Sequence, residues 1–262
     1  MTPLFAGAID YSFKQLSHEG YITMSMLAIV SLVSWSVIIS KSVQLLRARR
    51  MSKKFFEAWR QTKNPLELAR SGQQFEGSPA YEIYTAVAQE VAYHLEHNPV
   101  VPKSTSKSKE AKEGESDIKI SFASFDLVKS TLERTAGAEA LELERGMIML
   151  STAVAGGPFI GLLGTVFGVM ETFAGIAIKQ AASIAAMAPG VAGALLNTVF
   201  GLAVAIPAMF AYNFQVTTIR GITQELDNFG SELVTAFEHT YVDNRPLSEE
   251  IRDAISELNP MA

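Results

Sequence analysis

The sequence predicts an all-α membrane protein with three transmembrane helices and long cytoplasmic helical extensions. Hydrophobic residues make up an ordinary 48% of the chain, but they are concentrated in three long blocks. A block of about 20 apolar residues is long enough to cross the core of a bilayer. Two of the blocks are also rich in Gly, Ala and Thr, a composition that lets helices pack closely in lipid.

The first block, residues 20–40, contains no charged side chain and is assigned to the first transmembrane helix. Six basic residues follow it before the next acid: Lys41, Arg47, Arg49, Arg50, Lys53 and Lys54. Because positive charge marks the cytoplasmic side of a membrane helix, we expect residues 1–19 on the periplasmic side. There they form a short amphipathic segment at the membrane interface.

Residues 41–145 are polar and mostly helical in pattern, which predicts a cytoplasmic helical domain. Helix-forming residues dominate 53–70 and 79–97, and helical pattern resumes over 122–145. Residues 98–117 are rich in Ser, Lys and Glu and poor in apolar residues. Such a composition cannot bury a core, so it predicts a disordered insertion.

The second block, residues 146–178, is assigned to the second transmembrane helix. Residues 179–189 form a periplasmic turn, and Pro189 suits the first turn of the next helix, where its missing N–H costs little. The third transmembrane helix covers residues 190–215.

The chain after the third transmembrane helix contains no helix breaker for some distance. Residues 216–243 are therefore predicted to extend that helix into the cytoplasm, and residues 244–262 to form a flexible tail. Three prolines fall in or at the start of the two inner helices and are assigned to helix packing or kinks: Pro158, Pro189 and Pro207.

Small residues fall on one face of each inner helix. These faces carry Gly161, Thr165, Gly168 and Thr172 on the second transmembrane helix, and Ala194, Thr198, Gly201 and Ala205 on the third. One interpretation is tight helix packing, with the threonine hydroxyls bonded to the preceding turn of their own helix. The other is a narrow pore wall, centred on Thr165 and Thr198, which is the role that we predict.

Threonine does not exchange protons, whereas a proton path needs a carboxylate or a histidine. The only carboxylate in the two inner helices is Glu171, six residues beyond Thr165 and about 240° around the helix. It therefore lies off the threonine face, near the outer surface, as either an ion-path or a vestibule residue. Asn197 is a second candidate for an ion-path or vestibule residue, and an interhelical hydrogen bond is its default role. If the chain moves protons, the central carrier is expected from another chain.

Several classes of function are excluded by composition. The net charge of −5 gives no basic surface for nucleic acid, and the absence of cysteine excludes thiolate chemistry. No nucleotide-binding loop or nucleophile constellation is present, so we expect neither an enzyme nor a cofactor. His94 and His97 lie near Glu90, but a solvated helix face is the expected arrangement, with no metal site.

Two segments resemble the MotA/TolQ/ExbB proton channel family, and its ExbB/TolQ branch most closely. They are PFIGLLGTVFGVMETFAGIA at 158–177 and APGVAGALLNTVFGLAVAIPAMFAYN at 188–213. The resemblance covers roughly residues 146–215, places the family's pore threonines on Thr165 and Thr198, and places its helix-2 proline on Pro158. The family's usual glutamate in the PGIAEAL segment is replaced here by Gly193, so no role of that glutamate carries over.

The resemblance implies a homo-oligomeric ring in the bacterial inner membrane, typically a pentamer. The ring would enclose the membrane helix of an ExbD/TolR-like single-span protein, which carries an essential aspartate. A TonB/TolA-like protein is a further implied partner. The implied function is a proton-channel stator subunit that couples the proton motive force to mechanical work, in TonB-dependent import or Tol-type envelope maintenance. A non-conducting membrane scaffold is the alternative.

Overall fold

The protein is almost entirely helical over the residues that the structure describes, which are 3–100, 119–179 and 183–242. In this computed structural model the helices are α1 (Pro3–Lys14), α2 (His18–Trp59), α3 (Glu67–Ser71), α4 (Pro79–His97), α5 (Phe122–Glu144), α6 (Met147–Lys179) and α7 (Ile184–Tyr241). The predicted all-α class is confirmed. The predicted tail, and the predicted insertion beyond its first three residues, lie outside the described residues.

Three helical stretches are long and apolar enough to cross a membrane, and they lie within His18–Trp59, Phe122–Ile178 and Ile184–Tyr241. Large apolar side chains point outward from them, and Leu32 and Phe159 are 73% and 71% exposed. An apolar surface of this kind suits lipid or a neighbouring subunit rather than water. The three predicted spans are thus matched by three suitable helices.

The helical segment predicted over 53–70 is interrupted, which corrects that prediction. Helix α2 ends at Trp59, and α3 contributes only five residues. The interruption has a local cause, because the Asn64 side chain accepts a hydrogen bond from the Leu66 N–H at 2.9 Å. An Asx turn followed by Pro65 favours a turn over a helix.

Helix α7 begins earlier than expected, so Pro189 does not lie at its start. The Ser183 hydroxyl accepts a hydrogen bond from the Ala186 N–H at 3.2 Å and caps a helix that begins at Ile184. Pro189 therefore lies inside the helix, where it cannot donate the usual bond to the carbonyl four residues earlier. The predicted uninterrupted continuation of this helix past residue 215 is confirmed.

The described chain forms two compact units, and the first comprises residues 3–46, 143–179 and 183–220. Its buried cluster of Leu150, Ala153 and Ala208 packs against apolar residues of α2, α6 and α7. Two long polar side chains, Lys41 and Gln215, are also buried in this unit. The Lys41 ammonium donates to the Leu143 carbonyl at 3.1 Å, so this member of the predicted basic flank is not solvated.

Among the described residues, the second unit comprises 47–100, 119–142 and 221–242 and has an aromatic core. Phe55 is fully buried, and its ring centre lies 5.4 to 5.8 Å from five other aromatic rings: Phe56, Phe75, Tyr81, Tyr84 and Phe229. Edge-to-face contacts at such distances add to the energy of apolar burial. The Trp59 indole N–H donates to Glu232 at 2.9 Å at the margin of this cluster.

Tyr84 anchors the turn between α2 and α3 to this core. Its hydroxyl donates to the Pro65 carbonyl at 2.8 Å and accepts from the Ala69 N–H at 2.8 Å. Burial raises the pKa of Tyr84 to about 12. The folded state therefore favours the neutral phenol, which can both donate and accept.

We expect Tyr84→Phe to lower the free energy of unfolding by about 1–3 kcal/mol at pH 8, because the buried Pro65 carbonyl loses its donor and the Ala69 N–H loses its acceptor. In the unsubstituted protein the contribution of Tyr84 is fully present below the ordinary pKa of 10.0 and is lost as pH rises toward about 12. The fall in thermal midpoint between pH 9 and 11, about one unit on either side of the ordinary tyrosine pKa, should be shallower in the variant. Tyr93→Phe, at an exposed position, is the control. Equal alkaline slopes in all three proteins would contradict this role.

Candidate functional site

The two predicted threonines meet at the contact between α6 and α7. The Thr165 and Thr198 hydroxyls are hydrogen-bonded to each other, and either oxygen could be the donor. Thr165 also lies within hydrogen-bonding distance of the Gly161 carbonyl of its own helix, at 3.1 Å, and of the Ala194 carbonyl of α7, at 3.3 Å. Both side chains are half-buried, so the pair is not sealed off within the chain.

Glycines allow the backbones of α6 and α7 to touch on either side of this pair. A methyl group on Gly201 would lie 2.7 Å from the Gly157 carbonyl oxygen, and one on Gly161 would lie 2.8 Å from the Asn197 carbonyl oxygen. Further along, a methyl group on Gly168 would lie 2.7 Å from the Cβ of Ala194. Real Cβ atoms do not approach that closely, so the contact requires these glycines.

The packing interpretation of the small-residue faces is therefore confirmed. The predicted threonine bonds to the preceding turn are also present, since Thr172 donates to the Gly168 carbonyl at 2.7 Å. The pore-lining role of the same residues stays a prediction. Sequence spacing missed Gly157, although it lies four residues before Gly161 on the same helical face.

Asn197 lies where α2, α6 and α7 converge and is 1% exposed. A methyl group on Gly164 would lie 2.6 Å from the Thr23 hydroxyl and 2.8 Å from the Asn197 side chain, so this glycine makes room for both. A methyl group on Gly20 would lie 3.2 Å from the Asn197 amide nitrogen. The expected interhelical hydrogen bond is not made by the amide oxygen of Asn197, which is buried without a partner among the described residues.

Glu171 is exposed and lies outside the contact between the glycine faces. It lines an open cavity of about 510 Å³ at the end of the α6–α7 helix pair where α6 ends and α7 begins. Thr172, Asn197 and the backbone near Gln15 line the same cavity. The structure thus brings together Glu171, Thr172 and Asn197, which the sequence offered as separate candidates.

Gly193 allows the N-terminal segment to contact α7. A methyl group on Gly193 would lie 2.6 Å from the carbonyl oxygen of Gln15. Any side chain at this position would displace the backbone between α1 and α2. This contact could not be predicted from the sequence, because nothing in local spacing connects Gln15 with Gly193.

The prolines of the two inner helices lie inside those helices, and the two histidines of α4 contact neighbouring side chains of the same helix. Pro158 lies inside α6, and Pro207 lies inside α7. In α4, His94 is only 4% exposed and one of its ring nitrogens lies 3.3 Å from the Glu90 carboxylate, so the expected solvated face is wrong for this residue. The His97 ring is exposed and stacks on Tyr93. Across residues 3–100, 119–179 and 183–242, no three His, Cys, Asp or Glu side chains are close enough together to hold a metal ion.

The helices and their glycine-lined contact define a polytopic α-helical membrane protein built around one close-packed helix pair. Comparison with known proteins then identifies its family. A sequence model of the MotA/TolQ/ExbB proton channel family matches residues 106–228. The chain is 31% identical to the Biopolymer transport protein ExbB of Salmonella typhimurium over 208 residues, 79% of this chain and 77% of that protein. It belongs to the MotA/TolQ/ExbB proton channel family, consistent with the ExbB/TolQ branch.

Two further relatives agree with this assignment. The Biopolymer transport protein ExbB of Pseudomonas putida is 31% identical over 213 residues, 81% of this chain, and the match spans 58% of that longer protein. The Tol-Pal system protein TolQ of Haemophilus influenzae is 27% identical over 232 residues, 86% of this chain and 93% of that protein.

We expect Gly161→Ala and Gly201→Ala each to destabilise the protein by about 1–3 kcal/mol, because the added methyl group forces two backbones apart. The measurement is the thermal midpoint of the protein purified in detergent. Gly156→Ala and Gly175→Ala are matched controls in α6, since a methyl group at either site meets nothing within 4 Å. Both should be neutral or slightly stabilising, because Ala favours a helix more than Gly does. Equal effects at all four sites would contradict the close approach.

Proposed function

We propose that this chain is a proton-channel stator subunit of an inner-membrane motor complex. It couples the proton motive force to mechanical work in TonB-dependent import or Tol-type envelope maintenance. The relatives named Biopolymer transport protein ExbB and Tol-Pal system protein TolQ support both processes, and the family is one of proton channels rather than of enzymes.

The observation that carries the proposal is the pair of threonine hydroxyls at the contact between α6 and α7. Thr165 and Thr198 place two polar oxygens within the predicted spans at 146–178 and 190–215, at the contact between them. Polar groups at membrane depth are costly and typically mark pathways for ions. Because both side chains are only half-buried within the chain, they remain available to water or to a partner helix on the pore side.

The proposed pore needs a proton carrier from another chain. Threonine has no suitable pKa, and Glu171 lies about 9 Å further along the helix axis than Thr165. We propose a homo-oligomeric ring, a pentamer, around an ExbD/TolR-like single-span protein with an aspartate in its membrane helix. A TonB/TolA-like protein receives the mechanical work.

The proposed topology follows from charge. The basic flank after the first span places that end of α2 in the cytoplasm. With three spans, the N-terminus is periplasmic and the C-terminus cytoplasmic. The threonine pair then lies within the membrane, and the cavity beside Glu171 lies toward the periplasm.

A non-conducting scaffold is the alternative, and one observation favours it. The small-residue faces are largely occupied by each other within one chain, which is sufficient to explain their composition. A scaffold needs the glycines but not the threonine hydroxyls, so the two functions can be separated by substitution.

We expect Thr165→Val and Thr198→Val each to reduce proton flux through the reconstituted complex at least tenfold, because valine keeps the volume and removes the hydroxyl. Thr165→Ser and Thr198→Ser, which keep the hydroxyl, are the matched controls and should retain flux. The measurement is acidification of proteoliposomes that contain the chain and its partner, with assembly checked by size exclusion. Full flux in both valine variants would contradict a pore lined by these hydroxyls, whereas absence of flux from the unsubstituted complex would favour the scaffold.

We expect co-purification of the chain with a small single-span protein, followed by electron microscopy, to show a closed ring with a foreign helix inside. The helix should carry an aspartate at membrane depth, near the level of the threonine pair. Changing that aspartate to asparagine should abolish flux while leaving the ring intact. A ring filled only by lipid, or an isolated monomer with flux, would overturn the proposed assembly.

A further inference from the structure

The cavity beside Glu171 is lined by three segments of the chain, and the proposed pore does not explain this arrangement. Helix α6 contributes Gly168, Glu171, Thr172 and Gly175, and α7 contributes its first turns from Ala186 to Asn197. The third wall is the chain between α1 and α2, at Gln15, Leu16 and Ser17. With a volume of about 510 Å³, the cavity has room for an ion with several water molecules.

The charge in the described lining of the cavity is of one sign, negative. Among its described lining residues Glu171 is the only one with an ionisable side chain, and it is exposed. The remaining lining groups are neutral, and several offer oxygens, among them the Thr172 hydroxyl and the backbone carbonyl of Gln15 next to Gly193. One carboxylate surrounded by neutral oxygens attracts a cation and disfavours an anion.

The position of the cavity connects it to the threonine pair. Asn197 lines the cavity and directly precedes Thr198 along α7. Gly168 lines it too, one turn beyond Thr165 along α6. An ion held near Glu171 is therefore about 9 Å along the helix axis from the pair of hydroxyls.

We propose that this cavity binds a hydrated monovalent cation at the entrance to the conduction path, with the Glu171 carboxylate as its anionic partner. The inference rests on the proposed function, since it names the place where the conducted ion first meets the protein. Protons and sodium ions share this chemistry. The carboxylate acts by raising the local cation concentration, and Glu171 is a positioning residue for the ion rather than the central carrier.

The chain contains no cysteine, which allows a direct measurement of charge in the cavity. A single cysteine at Gly175 lines the cavity one turn from Glu171, and a side chain there meets nothing within 4 Å. The assembled complex in proteoliposomes is treated with trimethylammonium-ethyl methanethiosulfonate or with its sulfonate analogue. The ratio of the two rates reports the local potential.

We expect the ratio of cationic to anionic reaction rates at Gly175→Cys to fall roughly tenfold when Glu171→Gln is added, and to be kept by Glu171→Asp. A cysteine at Ala185, exposed and outside the cavity, is the control and should show a smaller change. If adding Glu171→Gln leaves the ratio of reaction rates at Gly175→Cys unchanged, the proposal is overturned.

Flux measurements distinguish this proposal from the proposed function. Glu171→Gln should lower flux several-fold at low cation concentration and recover toward the unsubstituted rate at high concentration, in either a proton or a sodium gradient. Unchanged Glu171→Gln flux at low cation concentration, together with loss of flux in Thr198→Val, overturns the entry site and leaves the channel function standing. Absence of flux in the unsubstituted complex overturns the channel function and the entry role together.

Discussion

The contact between the backbones of α6 and α7 is the constraint on which the rest of the first unit depends. At Gly161 and Gly201 the backbone of the opposing helix leaves no room for a single methyl group. In lipid, apolar side chains gain little by leaving the bilayer, so helices associate through close packing and interhelical hydrogen bonds. The glycine contact supplies the close packing, and the hydroxyl pair of Thr165 and Thr198 supplies an interhelical hydrogen bond.

This arrangement makes packing and conduction compatible rather than exclusive. A threonine pair that is hydrogen-bonded within one chain costs little to keep at membrane depth before any partner arrives. Because Thr165 and Thr198 stay half-buried, the same oxygens can exchange partners with water or with a second helix. The glycines fix where the pair lies, and the hydroxyls determine what chemistry it can do.

Local signals in the sequence predicted most of the fold. Spans follow from charge-free runs, because charge is excluded from lipid, and the stripes around Thr165 and Thr198 follow from helical spacing. What failed depended on particular turn chemistry or on distant contacts. The Asn64 side chain shortened a helix, and the Ser183 hydroxyl started another one early. The close approach of Gln15 to Gly193 joins segments that no local pattern relates.

The absence of a side chain at Gly193 has a consequence for where charge can be placed. The Gln15 carbonyl occupies the space into which a side chain on this face of α7 would extend, so a carboxylate cannot stand there without displacing the N-terminal segment. The carboxylate of the cavity comes instead from Glu171, on the opposite helix. Since it lies about 9 Å from the threonine pair, it can attract an ion but cannot carry a proton past the hydroxyls. The described parts of α6 and α7 offer no ionisable side chain level with Thr165 and Thr198, which supports the proposed acidic partner helix as the carrier of protons past the hydroxyls.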